Sequence, residues 1–419
     1  ALPKLNEFFL FLRCSFKNKV CKIEVKKSNN NISYLFSRSR YSLISLFKSV
    51  QKINNNSVIL WIPEFFCWEI AKFLQVNNID IKFYSLNDDL SPNCKFLNEN
   101  ILKFTDSTHL FLLVNFFGLD IDFNETKKLT LKNDVILIFD ETHSLKIKRK
   151  LVNEKEFIIS SPYKHLPISE GAILYTFFNQ NGKSELNSLI EKSFKINNLN
   201  YEFLNLYFND LFWFLKSFIV KFFKVFKTSI NTKSQHNFEL GKTTSKKIYQ
   251  GLSYYNHEII KKNINSKNNF IKSDFVYYNN ILNIISSHYD CYGLNNLSNN
   301  SHLFGINFTS QKDLIKVFRL IESLKIPVIL WPDFVYSNLF KELELNPNTK
   351  EICHNTLYLI ALESNNSETI LSILFPKTKT STSLLILLAA VIVEKEDCFI
   401  LLLSCSIITI DFILLLPHF

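Results

Sequence analysis

Residues 135–164 read VILIFDETHSLKIKRKLVNEKEFIISSPYK, and they carry the clearest structural pattern in the chain. It contains two short apolar runs, at 135–140 and 156–161, and polar residues follow each of them. Runs of this length that are rich in Ile, Leu, Val and Phe are typical of strands buried on both faces of a parallel sheet. Asp140 ends the first run and Lys164 follows the second, so we expect the chemistry where these strands end.

The same alternation continues on both sides of this stretch. Further apolar runs lie at 57–63, 79–86, 108–118 and 171–178, with helix-like segments at 39–53 and 66–77. Strands that alternate with helices predict an α/β fold whose large domain has a mainly parallel central sheet flanked by helices. A smaller C-terminal α/β domain is predicted by the strand-like runs at 302–308 and 327–331 and by a helix at about 311–324.

A chain of 419 residues can form two packed domains with short extensions. The predicted boundaries give an N-terminal segment at 1–30, a large domain at 31–244, a small domain at 245–372 and an apolar tail at 373–419. The apolar run 398–416 in the tail approaches the roughly 20 residues that cross a bilayer, although Asp411 interrupts it. A membrane anchor, a buried or poorly folded segment, and a segment foreign to the original reading frame all stay open.

Composition limits the classes of partner. Hydrophobic residues make up 47% and charged residues 21%, which are the proportions of a folded globular protein. The net charge of +10 suits anionic small molecules, and no basic block or nucleic-acid motif accompanies it, so we expect no nucleic-acid partner. The eight cysteines form no C-x-x-C pair, so we expect no zinc or thioredoxin-like site and no other metal site. The apolar run 8–12 is too short for a signal peptide, so we expect free thiols in the reducing cytoplasm.

Residues 201–227 predict a long amphipathic helix. At about 100° per residue, the polar side chains fall within one arc of roughly 140°: Asn209, Asp210, Lys216, Ser217, Lys221, Lys224 and Lys227. We expect the wide apolar face to pack on the core or on a second subunit. Contact of this helix with a membrane surface stays open as the alternative.

Three weak signals stand in order at the ends of predicted strands or at the start of a helix. Residues 39–43 (SRYSL) open a helix, and Ser39 and Arg40 with the first amide groups could hold a phosphate. Taken alone, a serine at this place is usually only a helix cap. Asp140 after its strand could pair with a pyridinium nitrogen or a metal ion. His143 close by is, taken alone, more often a structural histidine than a ligand.

The third signal is Lys164, which follows a buried strand in a segment that is poor in charge. Apolar surroundings lower the pKa of a lysine, so that its neutral amine becomes available as a nucleophile. A lysine after a strand is, however, most often an ordinary exposed residue. Ser160 and Ser161 would supply hydroxyl groups to an anion nearby. A phosphate site, an acid and an amine are together the set that pyridoxal phosphate (PLP) needs.

From about residue 31 to about residue 365 the chain is similar to the DegT/StrS-type sugar aminotransferases, which are fold-type I PLP-transferases. The segments that carry this resemblance are 39–43 (SRYSL), 60–68 (LWIPEFFCW), 81–92 (IKFYSLNDDLSP), 112–118 (LLVNFFG), 138–145 (IFDETHSL), 160–172 (SSPYKHLPISEGA) and 326–332 (IPVILWP). In 112–118, Asn115 stands where the family has a histidine.

The resemblance implies three catalytic residues. Lys164 would form the Schiff base with PLP and then move the proton on the substrate. Asp140 would hold the proton of the pyridinium ring, and His143 would donate a hydrogen bond to the phenolic oxygen. No metal ion is implied.

The resemblance also implies which residues bind the cofactor. The phosphate would be held by the helix opening Ser39, Arg40 and Tyr41 together with Ser160 or Ser161. The aromatic residue that stacks on the ring aligns with Cys67, whose neighbours Phe66 and Trp68 could replace it.

By the same resemblance, the substrates would be glutamate as amino donor and a nucleotide-linked keto-sugar as acceptor, for amino-sugar and glycan biosynthesis by a homodimer. A non-catalytic PLP-fold protein that binds a ligand or a membrane partner is the alternative. It is favoured by Cys67 and by the lack of a recognisable G-x-N-x-R segment between 236 and 260. A dehydration on the same class of sugars is disfavoured by Lys164, because the dehydratases of the family have histidine there.

Overall fold

The computed structural model describes residues 5–15, 20–21, 23–26, 31–54, 56–87, 89–119, 121–132, 135–144, 147–177, 185–195, 207–217, 252–265, 275–293, 303–323, 328–330 and 356–360. The chain divides into two compact units. The predicted tail at 373–419 lies outside the described residues.

One central sheet organises the first unit. The strands described there are β1 (Val20–Cys21), β2 (Ile23–Lys26), β3 (Asn31–Phe36), β4 (Ser57–Pro63), β5 (Asp80–Tyr84), β6 (Ser107–Val114), β7 (Ile136–Asp140), β8 (Glu156–Ser160), β9 (Ala172–Phe177) and β10 (Leu252–Ser253). Eight of them form the sheet in the order β2-β3-β9-β8-β7-β6-β4-β5. The neighbours from β8 to β5 run parallel, whereas β9 is antiparallel to β8 and β3, and β2 is antiparallel to β3. The predicted mainly parallel sheet is confirmed.

Helices accompany this sheet along the chain. Those described in the first unit are α1 (Leu5–Ser15), α2 (Ser39–Ile53), α3 (Trp68–Val76), α4 (Cys94–Ile101), α5 (Asn124–Lys132), α6 (Glu185–Lys195), α7 (207–217) and α8 (Tyr254–Asn265). Short 3-10 helices occupy Phe116–Gly118 and Pro162–Lys164. The first unit extends past residue 245, the predicted start of the small domain, because α8 packs against α1 and β1.

The burial of the strands explains why their sequences are so apolar. Every residue of β7 and β8 is buried, and β4 is buried after its first residue, Ser57. Both faces of these strands are therefore covered, as the apolar runs predicted. Because β6, β7 and β8 are parallel, their carboxyl ends lie at the same edge of the sheet. Asp140 ends β7 and Ser160 ends β8 at this edge.

The predicted orientation of the 201–227 helix is only partly right where the helix is described: two of the four polar residues assigned to its polar arc are exposed, and the other two are buried. Asp210 and Ser217, both assigned to its polar arc, are only 1% and 7% exposed. Phe208, Phe212 and Leu215 are instead exposed at the surface of the unit. The reason is that α7 buries a polar side chain that has hydrogen-bond partners, which periodicity alone does not reveal. Residues 201–206 and 218–227 lie outside the described residues.

The second unit is a smaller α/β unit. It contains α9 (Phe275–Ser286), β11 (Cys291–Gly293), β12 (Leu303–Phe308), α10 (Gln311–Ser323), β13 (Val328–Leu330) and β14 (Thr356–Ile360). The strands form an antiparallel sheet in the order β11-β12-β14-β13, and α10 packs on its last three strands. The predicted strand–helix–strand element at 302–331 is present. Across the described helices of both units, none is long and apolar enough to cross a membrane.

Candidate active site

Three side chains meet at the carboxyl edge of the central sheet. Asp140 ends β7, Thr142 lies two residues further on, and Lys164 ends the 3-10 helix that follows β8. The Nζ atom of Lys164 donates to Oγ1 of Thr142 at 3.4 Å. The amide group of Thr142 donates to Oδ1 of Asp140 at 2.9 Å. The structure therefore joins the predicted acid and the predicted amine through a threonine between them.

The carboxylate of Asp140 is buried, and this determines its electrostatics. Burial raises the pKa of Asp140, while the charge of Lys164 and the hydrogen bonds from Thr142 lower it. A carboxylate in this position is costly to ionise unless a positive group faces it. The site is thus arranged to favour a cationic partner for Asp140.

Two buried hydroxyl groups lie in the segment that leads to Lys164. Ser160 is 6% exposed and Ser161 is 2% exposed, and neither hydroxyl has a hydrogen-bond partner within the described ranges of the chain. Buried hydroxyl groups in folded proteins are usually paired. Two unpaired donors beside each other are expected where a ligand completes the site, and this fits their predicted contact with a phosphate.

The three residues at the start of α2 that were predicted to bind phosphate make different contacts in the structure. Ser39 is the first residue of α2, and its carbonyl group accepts from the hydroxyl of Ser42 at 2.6 Å. The guanidinium of Arg40 forms an ion pair with Glu69 on α3 at 3.3 Å. Tyr41 is buried, and its ring contacts Phe73 edge-on. The structure thus directs Arg40 towards α3, and the phosphate contacts of these residues stay predictions.

Cys67 is brought close to the lysine. It precedes α3 as its N-cap residue. Burial raises the pKa of its thiol, and the charge of Lys164 is among the effects that lower it. Phe66 is buried, whereas the side chain of Trp68, the first residue of α3, is outside the described part of the structure. The thiol of Cys67 is therefore close enough to Lys164 to feel its charge.

His143 stacks on an aromatic ring beside the site. Its ring is parallel to that of Phe117 within 12°, with the centroids 5.9 Å apart. Its Nδ1 atom accepts from the amide group of Phe117 at 3.4 Å, so a neutral imidazole carries its proton on Nε2. Phe117 itself has a φ angle of 55°, in the left-handed region that residues other than glycine rarely adopt. The orientation of His143 is therefore fixed from the loop after β6.

A polar network that the sequence did not reveal holds the loops after β6 and β7 together. The buried carboxylate of Glu141 accepts from Nδ2 of Asn115 at 2.8 Å and from the hydroxyl of Ser144 at 2.5 Å. It also accepts from Nε of Arg149 at 3.2 Å. Thr142 was likewise missed, although its place two residues after Asp140 is the spacing at which an Asp side chain binds a following amide group.

No protein-family model matches the chain, and no curated protein matches it in sequence. Solved structures do match. The aminotransferase PseC of Helicobacter pylori, involved in the biosynthesis of pseudoaminic acid, aligns with a TM-score of 0.56 at 15% identity, over 93% of this chain and 98% of that one. A DegT DnrJ EryC1 StrS aminotransferase from Brucella abortus aligns with a TM-score of 0.54 at 11% identity, over 87% and 93%.

This chain has the fold-type I PLP-transferase fold. A third match shares it: the GDP-4-keto-6-deoxy-D-mannose-3-dehydratase of E. coli, whose structure holds hydrated PLP, aligns with a TM-score of 0.55 at 14% identity, over 88% of this chain and 95% of that one. At such identities the likeness establishes the PLP-transferase fold, as the resemblance implied. The chemistry carried on that fold is argued from the residues of the site.

Proposed function

We propose that this protein is a PLP-dependent aminotransferase that transfers an amino group from glutamate to a nucleotide-linked keto-sugar, for amino-sugar and glycan biosynthesis. One observation carries the proposal: the amine of Lys164 donates to Thr142, whose amide group donates to Asp140 at the carboxyl edge of the sheet, and the segment that leads to Lys164 carries two buried hydroxyls without partners among the described residues. The known structures that share the fold include two aminotransferases, one of which is involved in the biosynthesis of pseudoaminic acid.

The residues present fit PLP. Lys164 would hold the cofactor through its amine, Asp140 would face the ring nitrogen, and Ser160 and Ser161 would donate to the phosphate. His143, with its Nε2 proton, would donate to the phenolic oxygen. When bound, PLP supplies an electron sink for the carbanion that forms at the α-carbon of an amino acid.

The chain itself supplies the proton transfers and the orientation of the groups. The amine of Lys164 would remove the proton from the α-carbon of the donor and later return one to the acceptor. Thr142 accepts a hydrogen bond from that amine at 3.4 Å, and this contact would help to position the amine for the proton transfer. Asp140 is placed by the amide group of Thr142, so one residue orients both the acid and the base.

The second candidate, a non-catalytic ligand-binding protein with the same fold, is favoured by two observations. Arg40 is paired with Glu69 in this structure, and Cys67 occupies the position aligned with the stacking aromatic residue. A dehydratase shares the fold as well. Lys164 favours transamination over dehydration, because a lysine amine can both bind PLP and move the proton.

Absorbance spectroscopy with added PLP tests the proposal. The wild-type protein should show the yellow band of lysine-bound PLP, and glutamate should convert it to the band of the pyridoxamine form. Lys164→Ala should show neither change. The matched control is Lys150→Ala, which removes an exposed lysine and should behave as wild type. A wild-type band that no amino donor alters would exclude transamination and favour the ligand-binding candidate.

The assembly and location expected from the sequence belong to the same proposal: a cytoplasmic homodimer, with contact between the 201–227 helix and a membrane as the open alternative. Light scattering during size-exclusion chromatography measures the mass of the particle. Sedimentation with anionic lipid vesicles measures membrane contact. A monomeric protein that sediments with the vesicles would refute the homodimer and favour the membrane-associated alternative.

A further inference from the structure

The turn Ser169–Gly171, which we call the clasp, connects two parts of the candidate site. The amide group of Gly171 donates to the carbonyl of Ser37 at 3.0 Å, just before α2 begins. The carbonyl of Gly171 accepts from the amide group of Tyr163 at 3.4 Å, in the residue before Lys164. The clasp therefore sets the distance between the start of α2 and the segment that carries the lysine.

Arg38 reinforces the clasp from the α2 side. Its guanidinium donates to the carbonyl of Ser169 at 3.3 Å and lies 3.8 Å from the carboxylate of Glu170. The same guanidinium lies over the ring of Tyr163, 4.5 Å from its centroid. One cation thus contacts both the clasp and the residue next to Lys164.

Asp210 holds the clasp from the opposite side. It lies on α7 and is 1% exposed. Its Oδ1 atom accepts from the hydroxyl of Ser169 and, at 3.0 Å, from Nδ2 of Asn256 on α8. Nδ2 of Asn256 also lies 3.1 Å from the hydroxyl of Ser169. The three side chains form a closed triangle beneath the clasp.

The surroundings of Asp210 place its titration close to neutral pH. Its pKa is raised to about 7, mainly by burial and to a smaller extent by the nearby carboxylate of Glu170. The hydroxyls of Ser169 and Ser253 and the amide of Asn256 lower it. Burying a carboxylic acid costs free energy even when it is hydrogen-bonded. The cost indicates that the contact with Ser169 serves the position of the clasp.

We propose that Asp210 is a positioning residue for the segment that carries Lys164. It holds Ser169, Ser169 fixes the clasp, and the clasp fixes Tyr163 and thereby the lysine beside it. That this placement serves PLP binding rests on the proposed function. The placement of the segment itself does not, since it is a property of the protein without cofactor.

Hydrogen–deuterium exchange on the full-length apoprotein tests the placement. Asp210→Ala should speed the exchange of the amide groups of Tyr163 and Gly171 at least tenfold. Ser169→Ala cuts the same contact from the other side and should give the same result, so the test stands even if one variant does not fold. The matched control is Leu97→Ala on α4. Leu97 is fully buried and lies outside the apolar cluster that contains Leu166 and Ile168, so its variant should melt earlier while both amides exchange as in wild type.

PLP affinity, from absorbance titration, is the second measurement. Asp210→Ala should weaken binding at least tenfold, while Asp210→Asn, which keeps an acceptor oxygen towards Ser169, should remain within about twofold of wild type. Unchanged exchange of the two amides in both Asp210→Ala and Ser169→Ala would overturn the inference, and so would equally fast exchange in Leu97→Ala. A wild-type protein that binds no PLP would refute the proposed function, whereas the exchange result would still decide the role of Asp210.

Discussion

Replacing Ser160 and Ser161 together by alanine should change the apoprotein and its cofactor affinity in opposite directions. Both hydroxyls are buried and lack partners among the described residues. A buried hydroxyl without a partner destabilises the folded protein, because water solvates the same group in the unfolded chain. The double variant should therefore make the apoprotein more stable. A bound phosphate, in contrast, loses two donors.

The magnitudes follow from the chemistry of the two groups. Each unpaired hydroxyl costs about 1–3 kcal/mol, and some of that gain is lost again with the packing contacts of the oxygen atoms. We expect the double variant to exceed wild type by about 1–2 kcal/mol in the free energy of unfolding. A hydrogen bond to a charged group contributes about 1.5–3 kcal/mol, so losing even one should weaken PLP binding roughly tenfold.

Urea unfolding of the apoprotein measures the first effect, and absorbance titration with PLP measures the second. The control is Ser49→Ala on α2, because the buried hydroxyl of Ser49 donates to the carbonyl of Ser45 at 2.8 Å. Its loss should not stabilise the protein and should leave PLP affinity unchanged. A Ser160/Ser161 double variant that is less stable than wild type, or that binds PLP as tightly, would refute the assignment of these hydroxyls to the phosphate.

Three other buried polar contacts of the first unit give predictions that urea unfolding can check. The pKa of Asp210 is raised to about 7, so its contribution to stability is fully present below about pH 4 and is lost as the pH rises to about 7, by about 4 kcal/mol in total. Asp210→Asn should lack this decline, and a variant with the same pH profile as wild type would contradict the prediction. Tyr84→Phe should cost about 1 kcal/mol, because its hydroxyl donates to a carbonyl of β6 at 2.7 Å, and a neutral result would show that this bond contributes nothing. Arg149→Met should lower the free energy of unfolding by about 3 kcal/mol, because it leaves the buried carboxylate of Glu141 without its cation. Adding Glu141→Gln should restore much of that loss, and a double variant without any recovery would argue against the ion pair as the cause.

The parts of the fold that the sequence predicted are those with strong local patterns. The apolar runs at 57–63 and 135–140 became β4 and β7, and the helix predicted at 39–53 is α2 to the residue. The strand β3 was missed because residues 31–36 carry no long apolar run. They form a strand through pairing with β9, which is distant in sequence. The antiparallel direction of β9 was likewise invisible, since periodicity reports burial and not direction.

The sequence likewise predicted only part of the candidate site. The proximity of Asp140 and Lys164 could be predicted because Asp140 ends one buried strand, Lys164 follows the next, and the parallel sheet brings the ends of those strands together. The ion pair of Arg40 depends on where α3 lies, and no local pattern records that. Asp210 was assigned to a solvated face because isolated helical spacing favours it there. Its burial depends on Ser169 and on α8, both remote in the chain.

The central claim is that Lys164 holds PLP, and reduction with borohydride tests it most directly. The purified protein is incubated with PLP, reduced so that the bond between cofactor and lysine becomes permanent, digested, and analysed by mass spectrometry. The account predicts that the pyridoxyl group is found on the peptide that contains Lys164 and that Lys164→Ala yields no specific site. A protein that carries the group on another lysine, or on none, would contradict the account.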